Sequence, residues 1–377
     1  MFKIFRKNSV SNPPWNYYFL LNLEKHEYPM YLAKLFYLNT GEKLPLEWSF
    51  KSGKWRINKK RCKTFNQKIQ WIKLYGVTDL MRDCTDKVKV RDYVKEKIGE
   101  EYLKPVLQVI PENTNEYSQP AWCPPELVSG ADLNNNQKML KHACIDDDIQ
   151  SKKINRTAVQ HDRLLGALQP NFYDVSNYFD KIEFDKLPNS FVIKCNHGCK
   201  WHYIIKDKNL FLTNKRLFEI VKRNMTGWLE QDYSFWNGFE LQYRKIKPKI
   251  LIETLLRDEI NTPCQAIQVY CFCGIPQIII WIHNKKQITI YNNNFKIFDD
   301  LFDFSEYKVI TQANDLIKKS VSLSTKLCSG FNFVRIDWMI HTDNLYLEEL
   351  TFTPYSGFYK FKNLKNEIRL GNFINLK

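Results

Sequence analysis

Asp337 and Glu349 stand where two carboxylates could act together. Each lies in an apolar-rich segment about a strand long: Phe333-Val334-Arg335-Ile336-Asp337-Trp338 and Leu347-Glu348-Glu349-Leu350-Thr351-Phe352-Thr353-Pro354. Between them His341-Thr342-Asp343-Asn344 reads as a polar turn. Folded as an antiparallel hairpin, the segments bring the two carboxylates close, and the period of two puts Arg335 on the face of Asp337. Two carboxylates and a guanidinium at one spot suit a hard cation and the phosphates it bridges. The plainer alternative is a pair of core strands with surface charges. The tight apolar flanks weigh against it, because unpaired charge beside a buried face is costly.

Lys194 and Glu253 are the next candidates, each a charge set in an apolar run. Lys194 ends Phe191-Val192-Ile193-Lys194 and precedes Asn196-His197-Gly198. A lysine buried there needs an anionic partner, and the loop after it offers backbone N–H groups to an anion. On a half-exposed strand it would simply point to solvent. Glu253 interrupts Ile250-Leu251-Ile252 and Leu255-Leu256, so it needs a hydrogen-bond donor. Cys195, His197, Cys199 and His202 are four metal-type ligands within eight residues, but the Cys and His pairs interleave with no loop to let them converge.

These residues need strands and helices to position them. Pro29 to Tyr37 reads as a short helix ended by Gly41. Thr64 caps a second helix with Gln67 at the box position and Gly76 beyond its end. Asp86 to Gly99 is predicted as one helix, with Val90, Val94 and Ile98 on one face. Strands are expected over Val106 to Ile110, Ser190 to Cys195, Trp201 to Ile205, Lys249 to Leu256, Gln265 to Phe272 and Pro276 to His283, and helices over Lys215 to Trp228 and Leu316 to Leu327. Residues 111–172 break this rhythm with Pro111, Pro120, Pro124, Pro125 and Asp146-Asp147-Asp148, a loop-rich insertion that also holds Cys123, His142, Cys144 and His161.

With 377 residues, 44% hydrophobic and 15% aromatic, the chain has ample core and is not a disordered sequence. It has no apolar run of about 18 residues, so no membrane-spanning helix is expected. Met1 to Lys7 lacks the features of a signal peptide, which places the chain in the cytoplasm with its ten cysteines reduced. Lys and Arg outnumber Asp and Glu by 56 to 41, a net charge of +15 that draws polyanions. Arg56, Lys59, Lys60, Arg61 and Lys63 form the densest basic cluster, which a solvated surface explains as well as a partner does.

The hairpin resembles the metal-binding hairpin of the ATP-grasp ligases, an Arg-x-Asp strand followed by a Glu-x-Asn strand, with Thr351 in the Asn place. A closer resemblance lies in five segments: Phe65 to Trp71, Arg91 to Gly99, Phe184 to Gly198, Phe272-Cys273-Gly274 and Glu349 to Pro354. Together they resemble the TupA-like ATP-grasp family of teichuronopeptide biosynthesis, in which Thr at Thr351 is expected. The resemblance runs from about residue 60 to 377, less the insertion.

It implies an α+β protein with the ATP-grasp fold, two α/β subdomains gripping ATP. The expected organisation is a helical N-terminal region over 1–110, the insertion over 111–172, a lid over 173–250 and a metal and nucleotide subdomain over 251–377. ATP and Mg²⁺ are the implied cofactors, with Asp337, Glu349 and Thr351 on the metal and Arg335 as the catalytic group. The nucleotide falls to Lys87, Lys194, His197, Gly198, Lys200, Glu253, Thr254, Leu256 and Gln268. Lys87 and Lys194 reach its phosphates, and the backbone of Thr254 and Leu256 frames its adenine. The chain departs from the family at Cys199-Lys200, where relatives carry Ser and Gly, and at Gln268, where a lysine is expected.

The implied activity is a carboxylate–amine ligation through an acyl phosphate, on a uronic sugar or acidic glycan of surface-polysaccharide biosynthesis. Its partners would be an anionic small molecule or glycan and an amine or amino acid, with no membrane span and no nucleic acid. Two alternatives stay open: a kinase acting on a hydroxyl, and a non-catalytic basic protein that binds glycan or nucleic acid.

Overall fold

The computed structural model describes residues 20, 22–112, 174–236, 238–256, 264–284, 287–298, 301–302 and 311–376. The chain divides into two compact units, residues 1–112 with 175–377, and residues 113–174. All of the second except Asp174 lies outside the described residues, and with it Cys123, His142, Cys144 and His161.

The first unit begins with helix α1 (Tyr28–Thr40) and a short hairpin, β1 (Leu46–Ser49) and β2 (Lys54–Ile57). Helix α2 (Phe65–Tyr75) follows, started by both arms of the Thr64–Gln67 capping box. The helix expected from Asp86 to Gly99 begins only at Val90, as α4 (Val90–Ile98), and a separate helix α3 (Asp79–Thr85) ends just before Asp86. The break has a local cause. The Asp86 carboxylate accepts the Val88 N–H and the Asn196 side-chain amide, both at 2.9 Å, which pulls the chain out of helical register.

Two antiparallel sheets carry the rest. One has the order β3 (Val106–Ile110), β6 (Ile250–Thr254), β4 (Phe191–Cys195), β5 (His202–Ile205). The other has the order β11 (Asn344–Thr351), β10 (Phe333–His341), β7 (Ala266–Phe272), β8 (Ile275–Asn284), β9 (Gln287–Asn292). Between them in sequence run α5 (Lys208–Thr213), α6 (Lys215–Leu229) and α7 (Asp315–Leu327), and α8 (Leu364–Phe373) closes the chain. Strand β10 obeys the period of two. Val334, Ile336 and Trp338 are fully buried in the main core, and the Trp338 indole donates to Ser324 Oγ of α7 at 2.9 Å. The opposite face of β10 is left for Arg335 and Asp337.

Candidate active site

The hairpin register sets Arg335 opposite Thr351 and Asp337 opposite Glu349, and on the other flank Asp337 opposite Gln268 of β7. The Arg335 guanidinium forks onto Asp337, with Nε to Oδ1 at 2.7 Å and an Nη to Oδ2 at 2.6 Å. It also lies 3.5 Å from Glu349 and donates to the Thr351 hydroxyl at 3.3 Å. That hydroxyl donates to Glu349 Oε1 at 2.6 Å, so here Thr351 orients the carboxylate. Gln268 Nε2 reaches Asp337 Oδ2 at 3.5 Å. Burial pushes the Asp337 carboxyl up to about 6 against the pull of Arg335, with the Glu349 and Glu348 charges adding to the rise.

A β-bulge between Asp337 and Trp338 leaves Glu348 without a Cα partner. It therefore serves the site beside Glu349, where strict alternation would send it to the other face. Glu348 contacts Lys104, in the segment that leads into β3. Burial alone would raise the Glu348 pKa, but Lys104 and Lys194 outweigh it and hold the carboxyl at about 2.

On the other sheet Glu253 is 4% exposed and ringed by cations. Lys194 Nζ lies 2.5 Å from its Oε2, Lys104 Nζ 3.6 Å from the same oxygen, and Arg91 3.5 Å from Oε1. The Lys194 contact is an ion pair between two buried groups. Burial lowers the Lys194 pKa and the neighbouring Lys104 charge lowers it further. Lys104 thus joins the two sheets, touching Glu253 on one and Glu348 on the other.

Lys87 takes a different place. Its ammonium donates to the Gly198 carbonyl and its N–H to the Asn196 carbonyl at 3.2 Å, so it anchors the loop after β4. Arg91, and Lys104, which sequence reasoning did not single out, share Glu253 with Lys194 instead. The loop itself is pinned. A Cβ on Gly198 would come within 2.2 Å of the Trp201 ring, so only glycine fits. His197 is buried, with Nδ1 3.2 Å from Asn196 Oδ1 and Nε2 3.2 Å from the Trp228 carbonyl. Lys200 is exposed, in the left-handed region at φ 64°. The Thr254 N–H donates to the Pro105 carbonyl at 3.0 Å. Leu256 ends the described part of that segment.

Burial, with the Lys87 charge second, drives the His197 pKa down to about 3. The ring is neutral in the fold and protonates in the unfolded chain near pH 6.5. A depressed folded pKa gives stability that is complete above 6.5 and lost as pH falls toward 3. Acidification from pH 7 to pH 5 is expected to remove about 2 kcal/mol on this account. Urea unfolding of wild type and His197→Gln at the two pH values checks it, because the variant should lack that share of the loss.

The chain after Thr351 is held from below. Tyr355, Ser356 and Gly357 are all left-handed, with φ of 52°, 54° and 71°. Lys73 of α2, fully buried, donates to Gln70 Oε1, Ser356 O and Ser356 Oγ, each at 3.0 Å. Burial lowers its pKa while Glu240 works to restore it. Gln70 donates to the Gly357 carbonyl at 2.7 Å. Strain of this kind persists only where the surroundings over-determine it.

The donor set suits a hard cation. Asp337 and Glu349 offer oxygens without sulfur or imidazole, and Glu349 Oε2 has no hydrogen-bond donor among the described residues. Two carboxylates are fewer ligands than Mg²⁺ takes, as in sites where phosphate and water complete the shell. Among the described residues, the hairpin included, no three His, Cys, Asp or Glu group to hold a metal.

The TupA-like ATP-grasp family model matches residues 135–375. No curated protein matches the chain. Among solved structures, D-alanine–D-alanine ligase from Bacillus anthracis is 20% identical with a TM-score of 0.26, over 46% of this chain and 46% of that one. The same enzyme from Helicobacter pylori is 12% identical with a TM-score of 0.36, over 88% of this chain and 77% of that one. C-terminally truncated Cdc123 from Schizosaccharomyces pombe is 11% identical with a TM-score of 0.33, over 79% and 94%. The chain thus spans less than half the length of the first of these, and the family match is the stronger finding.

Proposed function

The chain belongs to the TupA-like ATP-grasp family, and from that premise we propose that it is an ATP- and Mg²⁺-dependent ligase. It would join a carboxylate to an amine through an acyl phosphate. One observation carries this reading: Lys104 contacts both Glu253, the shared partner of Lys194 and Arg91, and Glu348 of the hairpin that carries Arg335, Asp337 and Glu349, so one lysine links the cation cluster to the carboxylate pair.

Lys194, Lys104 and Arg91 neutralise and orient the nucleotide phosphates, which would compete with Glu253 for them. Asp337 and Glu349 would hold the cation, with Thr351 and Arg335 fixing the two carboxylates. Mg²⁺, when bound, screens the phosphate charge and polarises the transferring group. A carboxylate oxygen of the acceptor attacks the γ-phosphorus as the bond to ADP breaks. The amine nitrogen then attacks the acyl carbon and expels phosphate, losing its proton as the amide forms. Arg335 is placed to stabilise charge on the group in transfer. Lys87 and the Gly198 loop, with His197 and Lys200, line the lid side, and Thr254, Leu256 and Gln268 complete the nucleotide surround.

The acceptor is proposed to be a uronic sugar or acidic glycan of surface-polysaccharide biosynthesis, acted on in the cytoplasm; the +15 charge supports an anionic substrate. Incubation with ATP, Mg²⁺, uronic acids and an amino-acid mixture tests it by mass spectrometry. A product lighter than acid plus amine by one water supports ligation. A product heavier than the acceptor by one phosphoryl group makes the protein a kinase, and no ADP release with any acceptor leaves a binding protein.

A further inference from the structure

The hairpin β1–β2 carries an apolar face that runs outward from the core to open solvent. At its base Ile57 is 2% exposed; along it Trp55 and Trp48 are 39% and 43% exposed; at its tip Phe50 is 93% exposed. Trp48 and Trp55 are cross-strand partners, edge to face at 5.5 Å between ring centroids. Three large aromatics in a row, with the outermost wholly in water, are costly to a free surface and mark a docking site.

The charge around them names the partner's sign. From residue 48 to 78 the chain has no Asp or Glu. Lys51 and Lys54 flank the tip, and Lys59, Lys60, Arg61 and Lys63 follow the hairpin directly. Arg56 is paired with Glu47 at 2.5 Å, whereas these six have no carboxylate within 4 Å among the described residues. Lys59, Lys60 and Lys63, with Lys68, line a cavity of about 390 Å³ against the end of α8, large enough for a phosphate group.

We infer that this hairpin seats the protein on an anionic lipid surface, with Phe50 entering the acyl boundary, Trp48 and Trp55 at the headgroup level and the lysines against lipid phosphates. Tryptophan and lysine share this division at membrane interfaces, where an amphipathic ring or a long stem keeps one end wet. A polyanion held by charge alone would use the lysines but gives no reason for an exposed phenylalanine at the tip. No described helix is long and apolar enough to cross a membrane, so the association is peripheral. The inference is independent of the ligase reading.

The test is sedimentation of the full chain with sucrose-loaded vesicles of equal phosphatidylglycerol and phosphatidylcholine, against vesicles of phosphatidylcholine alone. Wild type is expected to follow the anionic vesicles only. Phe50→Ser, which removes no buried contact, should lower the partition at least about tenfold. Lys59→Gln with Lys60→Gln and Lys63→Gln should lower it as much and flatten its salt dependence. Two results overturn the inference: wild type that stays in the supernatant, or anionic binding that Phe50→Ser leaves unchanged. A third is tighter binding to an acidic oligosaccharide or a single-stranded oligonucleotide that Phe50→Ser weakens equally, which assigns the surface to that polymer.

Discussion

Asp337→Asn combined with Glu349→Gln is expected to weaken Mg²⁺-dependent ATP binding by at least about a hundredfold, as read by calorimetry. The two carboxylates are the only acidic pair in register across the hairpin, and both side chains turn to the Arg335 face. The double change removes the charge that would hold the cation while keeping size and hydrogen-bonding shape. Loss of binding has a second source, because Asp337 is also the main partner of a buried arginine. Breaking a buried pair costs about 3–5 kcal/mol. Glu349→Gln alone separates the two causes. Glu349 is 31% exposed and sits 3.5 Å from Arg335, so its loss leaves the fork onto Asp337 intact. It should melt close to wild type and still bind ATP poorly when Mg²⁺ is present. Unchanged binding in that variant would take the metal away from this hairpin.

How far the site could be read in the sequence depends on how regular the chain is at each point. The hairpin pattern brought Asp337 and Glu349 together and the period of two put Arg335 on the face of Asp337, while Thr351 was legible only through the family resemblance; the four side chains meet on one face. Glu253 and Lys194 were legible as charges in apolar runs, and they pair with one another. Glu348 was hidden by a bulge: adjacent residues of a strand face opposite ways unless an extra residue is inserted, and no local signal marks that insertion. Lys104 sits in an irregular segment before Pro105, where no periodicity assigns a face. Arg91 lies on α4, whose start was misjudged, because the Asp86 turn that delays it depends on Asn196, over a hundred residues away. The same turn sends Lys87 to the Gly198 carbonyl. The β1–β2 hairpin was missed for another reason. Its strands are only four residues each, too short for a period of two to show.

Glu253→Gln should cost about 3–5 kcal/mol of stability, the largest loss expected from any single neutralisation in the cluster. Its carboxylate is the shared counter-charge of Lys194, Lys104 and Arg91. Without it Lys194, whose pKa burial and the Lys104 charge already lower, is left buried beside that charge, and only Lys104 keeps a partner, in Glu348. Lys194→Met should cost less, because Glu253 retains Lys104 at 3.6 Å and Arg91 at 3.5 Å. The double variant should lose less than the sum of the two, by about 1–3 kcal/mol, as groups in one network do. Urea unfolding of the four proteins gives the cycle. Nucleotide adds a reading that a purely structural cluster would not produce. If the cations exist to take phosphates, Mg²⁺ and ATP should raise the melting temperature of Glu253→Gln at least as far as that of wild type, by supplying the negative charge the substitution removed. No rise in either protein would mean that the cations serve the fold alone.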